Sequence, residues 1–260
     1  MKSLACTPLL FLALTLSAWA EPITKTVPYA IGDTQFEGTI VYQGDSSQNK
    51  PGVLMVPNWM GPTAQSVEKA ARVAGDGYVV FMIDMYGKEI RPTNRAEAAA
   101  AAGSLRADRR LMRERVNAAL EVFKEQAGDV PLDPSRIAAI GFCFGGGVVL
   151  ELARGGAELP GVVSFHGNLD TPDPADARRA KAKILVLHGA NDPAVPDEQV
   201  QTFIQEMREA GVDWQLIHYG GAVHSFTDPY ADTPGRNEYH PLVAQRAFAA
   251  MKAFFREIFE

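Results

Sequence analysis

The chain has 260 residues, 47% hydrophobic and 22% charged, which suits one domain with a wide buried core and excludes a disordered or fibrous protein. Its formal charge is -6, and its Lys and Arg residues are interspersed with acids. No basic stripe is left for a phosphate backbone, so nucleic-acid binding is set aside as a function class.

At the N-terminus, Lys2 is followed by the apolar run Leu9 to Leu16 and then by Ala18-Trp19-Ala20. This pattern predicts an export signal peptide over residues 1–20, cleaved after Ala20 so that the mature chain starts at Glu21. The apolar stretch from Pro8 to Ala20 is shorter than the roughly 20 residues needed to cross a bilayer. No second apolar span follows, and Cys6 precedes the run, whereas a lipid-modified cysteine would follow it. The expected location is periplasmic or secreted, with no membrane association after cleavage. Cys143 then remains as the single cysteine, and no intramolecular bridge can form. A lone cysteine is ordinarily a small buried apolar residue, so its local sequence must decide between packing and chemistry.

Ile23 to Tyr29 and Thr34 to Tyr42 alternate apolar and polar residues around Gly32-Asp33, which predicts a β-hairpin at an antiparallel edge. Short apolar runs follow at Gly52 to Val56 and Tyr78 to Ile83, with the composition of buried parallel strands. Ala96 to Ala102 and Ser104 to Gln126 predict one or two helices. Further strands are expected at Ile137 to Gly141, Gly161 to Phe165, Ile184 to His188 and Trp214 to Tyr219. Helices are expected at Gly146 to Arg154, Asp197 to Ala210 and Pro241 to Ile258. Alternating strands and helices require right-handed crossovers, giving an α/β fold with a doubly wound, mostly parallel sheet and an N-terminal antiparallel hairpin. No repeat, linker or low-complexity boundary divides residues 21–260, so one domain is expected.

Within Ile137 to Gly147 the strand ends in Gly141-Phe142-Cys143-Phe144-Gly145-Gly146 and leads straight into a helix. In the G-x-S-x-G elbow a nucleophile occupies a strained turn between strand and helix, with small neighbours that let the turn close. Here Gly141 and Gly145 supply that room, and the helix dipole favours a thiolate. A glycine-rich turn around a buried cysteine is the competing reading. A phosphate loop is disfavoured, because both G-x-x-x-x-G-K-[ST] and the G-x-G-x-x-G spacing are missing.

A cysteine nucleophile needs a base, and the base needs an orienting acid. Asp192 follows the strand Ile184 to Leu187, and His224 follows the strand Trp214 to Tyr219. Cys143, Asp192, His224 is the nucleophile, acid, base order of α/β-hydrolases. All three lie after strands, at the sheet edge where parallel sheets bind ligands. Taken singly, Asp192 also reads as a turn residue before Pro193 and His224 as a surface histidine. The oxyanion donors expected are the backbone N–H groups of Phe144 and of Trp59, the latter in the loop Pro57-Asn58-Trp59-Met60-Gly61. Trp59 and Met60 also fit simple packing.

With these residues the chain resembles the dienelactone hydrolase family over nearly all of the mature sequence. The resemblance rests on G-F-C-F-G-G at 141–146, H-G-A-N-D-P at 188–193, H-S-F at 224–226 and Asp84-Met85-Tyr86-Gly87-Lys88. It implies the α/β-hydrolase fold and cleavage of a small-molecule ester or lactone through a thioester, with no cofactor. Three positions depart from the family's pattern. Asn58 stands where a glutamate is expected, and Lys88 and Asp228 stand where arginines would clamp a substrate carboxylate. Asn58 cannot trade a proton with Cys143, and Asp228 would repel a carboxylate. Lys88 and Arg91 are either substrate contacts or exposed surface charge. Asn58, Lys88 and His166 are the candidate substrate-binding residues, with His166 equally readable as a structural histidine. His188 and His218 form no recognisable ligand pair, so no metal is expected. A thioesterase or peptidase on the same site, and a non-catalytic periplasmic binding protein, remain as alternatives. A redox role has no C-x-x-C to support it.

Overall fold

A computed structural model describes residues 21–44, 48–75 and 77–260. The expected signal peptide, residues 1–20, lies outside the described residues. The N-terminal hairpin forms as its alternation predicts: β1 (Ile23–Ile31) pairs antiparallel with β2 (Thr34–Tyr42) in the register Ile31↔Thr34. Its two-residue turn is Gly32-Asp33, and Gly32 adopts the positive φ of 56° that such tight turns require.

The remaining sheet strands are β3 (Lys50–Val56), β4 (Val79–Met82), β5 (Leu132–Phe142), β6 (Gly161–Phe165), β7 (Lys183–Gly189) and β8 (Trp214–Tyr219). They complete an eight-stranded sheet in the order β1-β2-β4-β3-β5-β6-β7-β8. From β4 to β8 every pairing is parallel, whereas β2 runs against β4. The chain steps from β3 to β4, crosses back over β3 to β5, and then proceeds outward. This reversal between β3 and β5 puts a ligand crevice at the carboxyl end of β5. A short antiparallel pair, β9 (Asp232–Thr233) and β10 (Asn237–Glu238), follows β8.

Helices cover both faces: α1 (Ala64–Ala74), α2 (Arg95–Ala107), α3 (Arg109–Glu125), α4 (Phe144–Arg154), α5 (Asp197–Ala210) and α6 (Pro241–Phe259). Asp108 divides the long helical stretch in two, ending α2 and capping α3 through Oδ1, which accepts the Leu111 N–H at 2.9 Å. The two-residue period of the strands sorts their side chains between two cores. Val53, Met55, Ile140 and Phe142 join α1 and α6, while Leu54, Val56 and Ala139 join α2 to α5. Burial of each large apolar side chain contributes about 1.5–3 kcal/mol.

Several elements differ from the expected bounds, among them the strand and the helix on either side of Cys143. Strand β5 starts at Leu132 rather than Ile137, because its pairing with β3 shifts register between Pro51 and Gly52 and continues beyond it. Helix α4 starts at Phe144 rather than Gly146, with Cys143 itself at the N-cap.

Candidate active site

Strand β5 delivers Cys143 into a turn with φ 55° and ψ -119°. A non-glycine residue there is strained, and such strain persists only where the surroundings over-determine it. The surroundings here are the glycines. A Cβ on Gly145 would sit 2.3 Å from Val56 O, and one on Gly146 would sit 2.6 Å from Ser164 Oγ. The Cys143 N–H donates to Phe165 O at 3.0 Å and to His166 Nδ1 at 3.2 Å, which ties the elbow to β6. The thiol is left half-buried.

Asp192 sits in the loop after β7. Its N–H donates to Gly189 O at 3.0 Å, and its Oδ1 accepts the Ala194 N–H at 2.8 Å. The second oxygen, Oδ2, lies 2.7 Å from His224 Nδ1. His224 follows β8, and its carbonyl accepts the Glu238 N–H at 3.1 Å, so β10 braces the loop. The imidazole also interacts electrostatically with the Cys143 side chain. Carboxylate, imidazole and thiol are therefore brought together in one line.

The electrostatics of the line are reciprocal. Burial would push the thiol up, but the charge of His224, the Phe144 N–H and the charge of Arg106 outweigh it, so the thiol falls below its ordinary range. Burial would push His224 down, but the Cys143 thiolate and the Asp192 hydrogen bond raise it to about 10. Both shifts favour a thiolate–imidazolium pair.

The loop after β3 is a tight turn. Asn58 O accepts the Gly61 N–H at 2.9 Å, and Asn58 Oδ1 accepts the Met60 N–H at 3.0 Å. Tyr86 Oη donates to Trp59 O at 2.8 Å and fixes that peptide. Among the described residues no hydrogen bond engages the Trp59 N–H. The Phe144 N–H, next in the chain, favours the charged form of the Cys143 sulfur.

The three candidate substrate residues separate. Asn58 lines a cavity of about 180 Å³ between α1 and the loop after His224, together with Lys69, Phe142 and Asp228. Lys88 does not reach this cavity: its Nζ lies 3.3 Å from Glu37 Oε2 on β2, and its side chain is more than half exposed. Arg91 is likewise drawn away, to the buried Asp84 at 3.0 Å. His166 is buried with both ring nitrogens engaged, Nδ1 by the Cys143 N–H and Nε2 by Thr227 Oγ1 at 2.8 Å. Burial and the nearby charges of His224 and Lys69 hold it neutral, well below its ordinary value. It braces the elbow and has no nitrogen left for a substrate. His188 and His218 meet edge to face at 5.1 Å, and no cluster of three metal-ligating side chains occurs among the described residues.

Two further side chains reach the site that sequence reasoning did not single out. Lys69 Nζ lies 4.4 Å from the centre of the Phe142 ring, and Arg106 lies 5.6 Å from that of Phe144. Both come from helices whose charges resemble an ordinary solvated face, so the sequence offered no signal for them.

Residues 37–259 match the family described as "Dienelactone hydrolase family". A Bradyrhizobium sp. protein named "Probable 2-oxo-3-(5-oxofuran-2-ylidene)propanoate lactonase" is 27% identical, over 76% of this chain and 80% of its own. Among solved structures, the dienelactone hydrolase-like promiscuous phosphotriesterase P91 from metagenomic libraries is 37% identical with a TM-score of 0.85, covering 92% of this chain and 99% of that one. An esterase from Thermogutta terrifontis, 17% identical with a TM-score of 0.62 over 90% of this chain and 92% of that one, shares the fold.

Proposed function

Because the chain belongs to the dienelactone hydrolase family and is an ester or lactone hydrolase, we propose that it works through a thioester on Cys143, with His224 and Asp192 completing a triad. The observation that carries this reading is the strained Cys143 elbow beside a His224 that is hydrogen-bonded to Asp192 at 2.7 Å. The thiolate attacks the carbonyl carbon, and the developing oxyanion is held by the N–H groups of Phe144 and Trp59. One such donor is worth about 10²–10³ in rate. The imidazolium of His224 gives its proton to the departing alkoxide, which leaves as an alcohol, or stays tethered in a lactone. Water then attacks the thioester while neutral His224 takes its proton. The tetrahedral species collapses, the acid leaves, and the thiolate and imidazolium are restored. Asp192 holds the imidazole tautomer and stabilises its charged form. Asn58 has no proton to trade, so activation of the thiol falls chiefly to the His224 ion pair.

The test is turnover by the mature protein of a panel of small activated esters, lactones, thioesters and peptides, with Cys143→Ala alongside. Ester or lactone turnover that disappears in Cys143→Ala supports the scheme, whereas undiminished turnover by the variant excludes it. Preference for thioesters or peptides would move the substrate class while keeping the chemistry. Ligand retention with no hydrolysis by the wild type would indicate a binding protein. A neutral aryl phosphotriester belongs in the panel because the similar P91 protein is described as a promiscuous phosphotriesterase.

We also propose export to the periplasm or beyond, on the strength of Lys2, the apolar run Leu9 to Leu16 and Ala18-Trp19-Ala20. N-terminal sequencing of the mature protein from a cell fractionation is expected to begin at Glu21. An intact cytoplasmic chain beginning at Met1 contradicts it.

A further inference from the structure

The Arg106 guanidinium stands beside the elbow. It lies over the ring of Phe144, the residue directly after Cys143, and its Nη2 donates to Asn168 Oδ1 at 2.9 Å. Asn168 belongs to the loop after β6, so α2 is stapled to the same sheet edge that carries the thiol. Among the described residues only that neutral amide bonds the guanidinium, and no carboxylate lies within ion-pair distance. This contrasts with its neighbour in the sequence, Arg109, which pairs with Asp170 at 2.7 Å. A half-buried guanidinium without a counter-charge is costly to hold.

We propose that Arg106 is a positioning residue for the nucleophile: its fixed charge, anchored by Asn168 over Phe144, holds Cys143 as the thiolate and makes the site's mouth attractive to anionic electrophiles. The inference rests on Cys143 as the nucleophile. The charged and titratable groups that face Cys143 are few and come from different elements. His224 follows β8 with Asp192 behind it, His166 follows β6, Tyr86 follows β4, Lys69 comes from α1 and Arg106 from α2. Lys69 is a weaker candidate for this role, because burial pushes its amine down and Asp228 shares its field. His166 is held neutral. Arg106 also bears on Tyr86, whose hydroxyl fixes the Trp59 peptide. One guanidinium thus acts on both sides of the proposed oxyanion pocket.

The experiment compares alkylation of Cys143 by iodoacetate and by iodoacetamide across pH, in the wild type, Arg106→Met, Arg106→Gln and Arg106→Lys. The two reagents are alike in size and differ in charge, so their rate ratio reads the local potential. Arg106→Met is expected to lower the iodoacetate-to-iodoacetamide ratio by about three- to tenfold, the scale of one unit charge in a partly buried setting. It is also expected to move the alkylation midpoint to higher pH. Arg106→Lys is expected to keep most of both. Arg106→Gln retains a donor for Asn168 without the charge, and gives the same reading should the Met variant fold poorly. An unchanged ratio and midpoint in the folded uncharged variants overturns the proposal, as does a Lys variant that falls as far as Met. Ester turnover is measured in parallel: a wild type that alkylates readily but turns over no ester counts against the hydrolytic scheme and leaves the role of Arg106 to be judged by the alkylation ratio.

Discussion

Gly141 and Gly145 approach so closely across the elbow that a Cβ on Gly141 would lie 1.9 Å from the Gly145 carbonyl oxygen. No rotamer change relieves this, because backbone meets backbone. Gly141→Ala is therefore expected to destabilise the protein by at least about 3 kcal/mol, as overpacking in a rigid setting does. Gly103→Ala is the control: Gly103 lies in α2 with nothing within 4 Å of its would-be Cβ. It is expected to be stabilising by about 0.5–1 kcal/mol. Denaturant midpoints of the two variants read the contrast.

The hydrogen bond that His224 Nδ1 donates to Asp192 Oδ2 orients the imidazole without touching substrate. Asp192→Asn preserves shape but offers the ring an ambiguous partner, and is expected to lower kcat by about 10³–10⁴. Circular dichroism is expected to stay at the wild-type signature. A loss below tenfold would remove Asp192 from the triad.

The charged Cys143–His224 pair sets the pH dependence. The thiol's folded value is depressed, so its contribution to stability is complete above its ordinary 9.0 and is lost as pH falls through the depressed value. The imidazole's folded value is raised, so its contribution is complete below its ordinary 6.5 and is lost as pH rises through about 10. The thiolate–imidazolium form is populated between those two folded values. kcat/KM is expected to plateau in that window, falling on the acid side below the usual thiol range and on the alkaline side near about 10. The ultraviolet absorbance of the thiolate is expected to follow the acid limb.

Buried charge supports α4 from behind. Arg154, 1% exposed, grips Glu206 with Nε and Nη2 at 2.7 and 2.8 Å and reaches Glu151 at 3.0 Å. Arg154→Met strands the buried Glu206, while Glu151 keeps Arg113 at 2.7 Å, and is expected to cost about 3–5 kcal/mol. Chemical denaturation measures that cost, and turnover per folded molecule is expected to stay near wild type because Arg154 closes the end of α4 opposite Cys143.

Much of this architecture was legible because the strands are short apolar runs bounded by turns, and because Cys143, Asp192 and His224 each follow a strand of a parallel sheet. What escaped was carried by contacts between distant residues. Helix α1 buries only Ser66, Ala70, Val73 and Ala74, small side chains with little apolar signal. Arg154 and Glu206 lie 52 residues apart, so nothing local announces their pairing. His166, at the end of a strand, read equally as a pocket residue or a structural histidine, because only its contacts with Thr227 and the Cys143 N–H, 61 and 23 residues away, distinguish the two. Lys88 sits beside the site in sequence, but the neighbouring hairpin offers Glu37 first.

The most direct test is to catch the acyl group. Wild-type protein is mixed with an excess of an activated ester, quenched in acid within the turnover time, digested and mapped by mass spectrometry. A single acyl adduct is expected on the peptide carrying Cys143, released by hydroxylamine and accumulating further in His224→Gln if that variant still acylates. Acylation confined to another residue, with Cys143 recovered as a free thiol during active turnover, would contradict it.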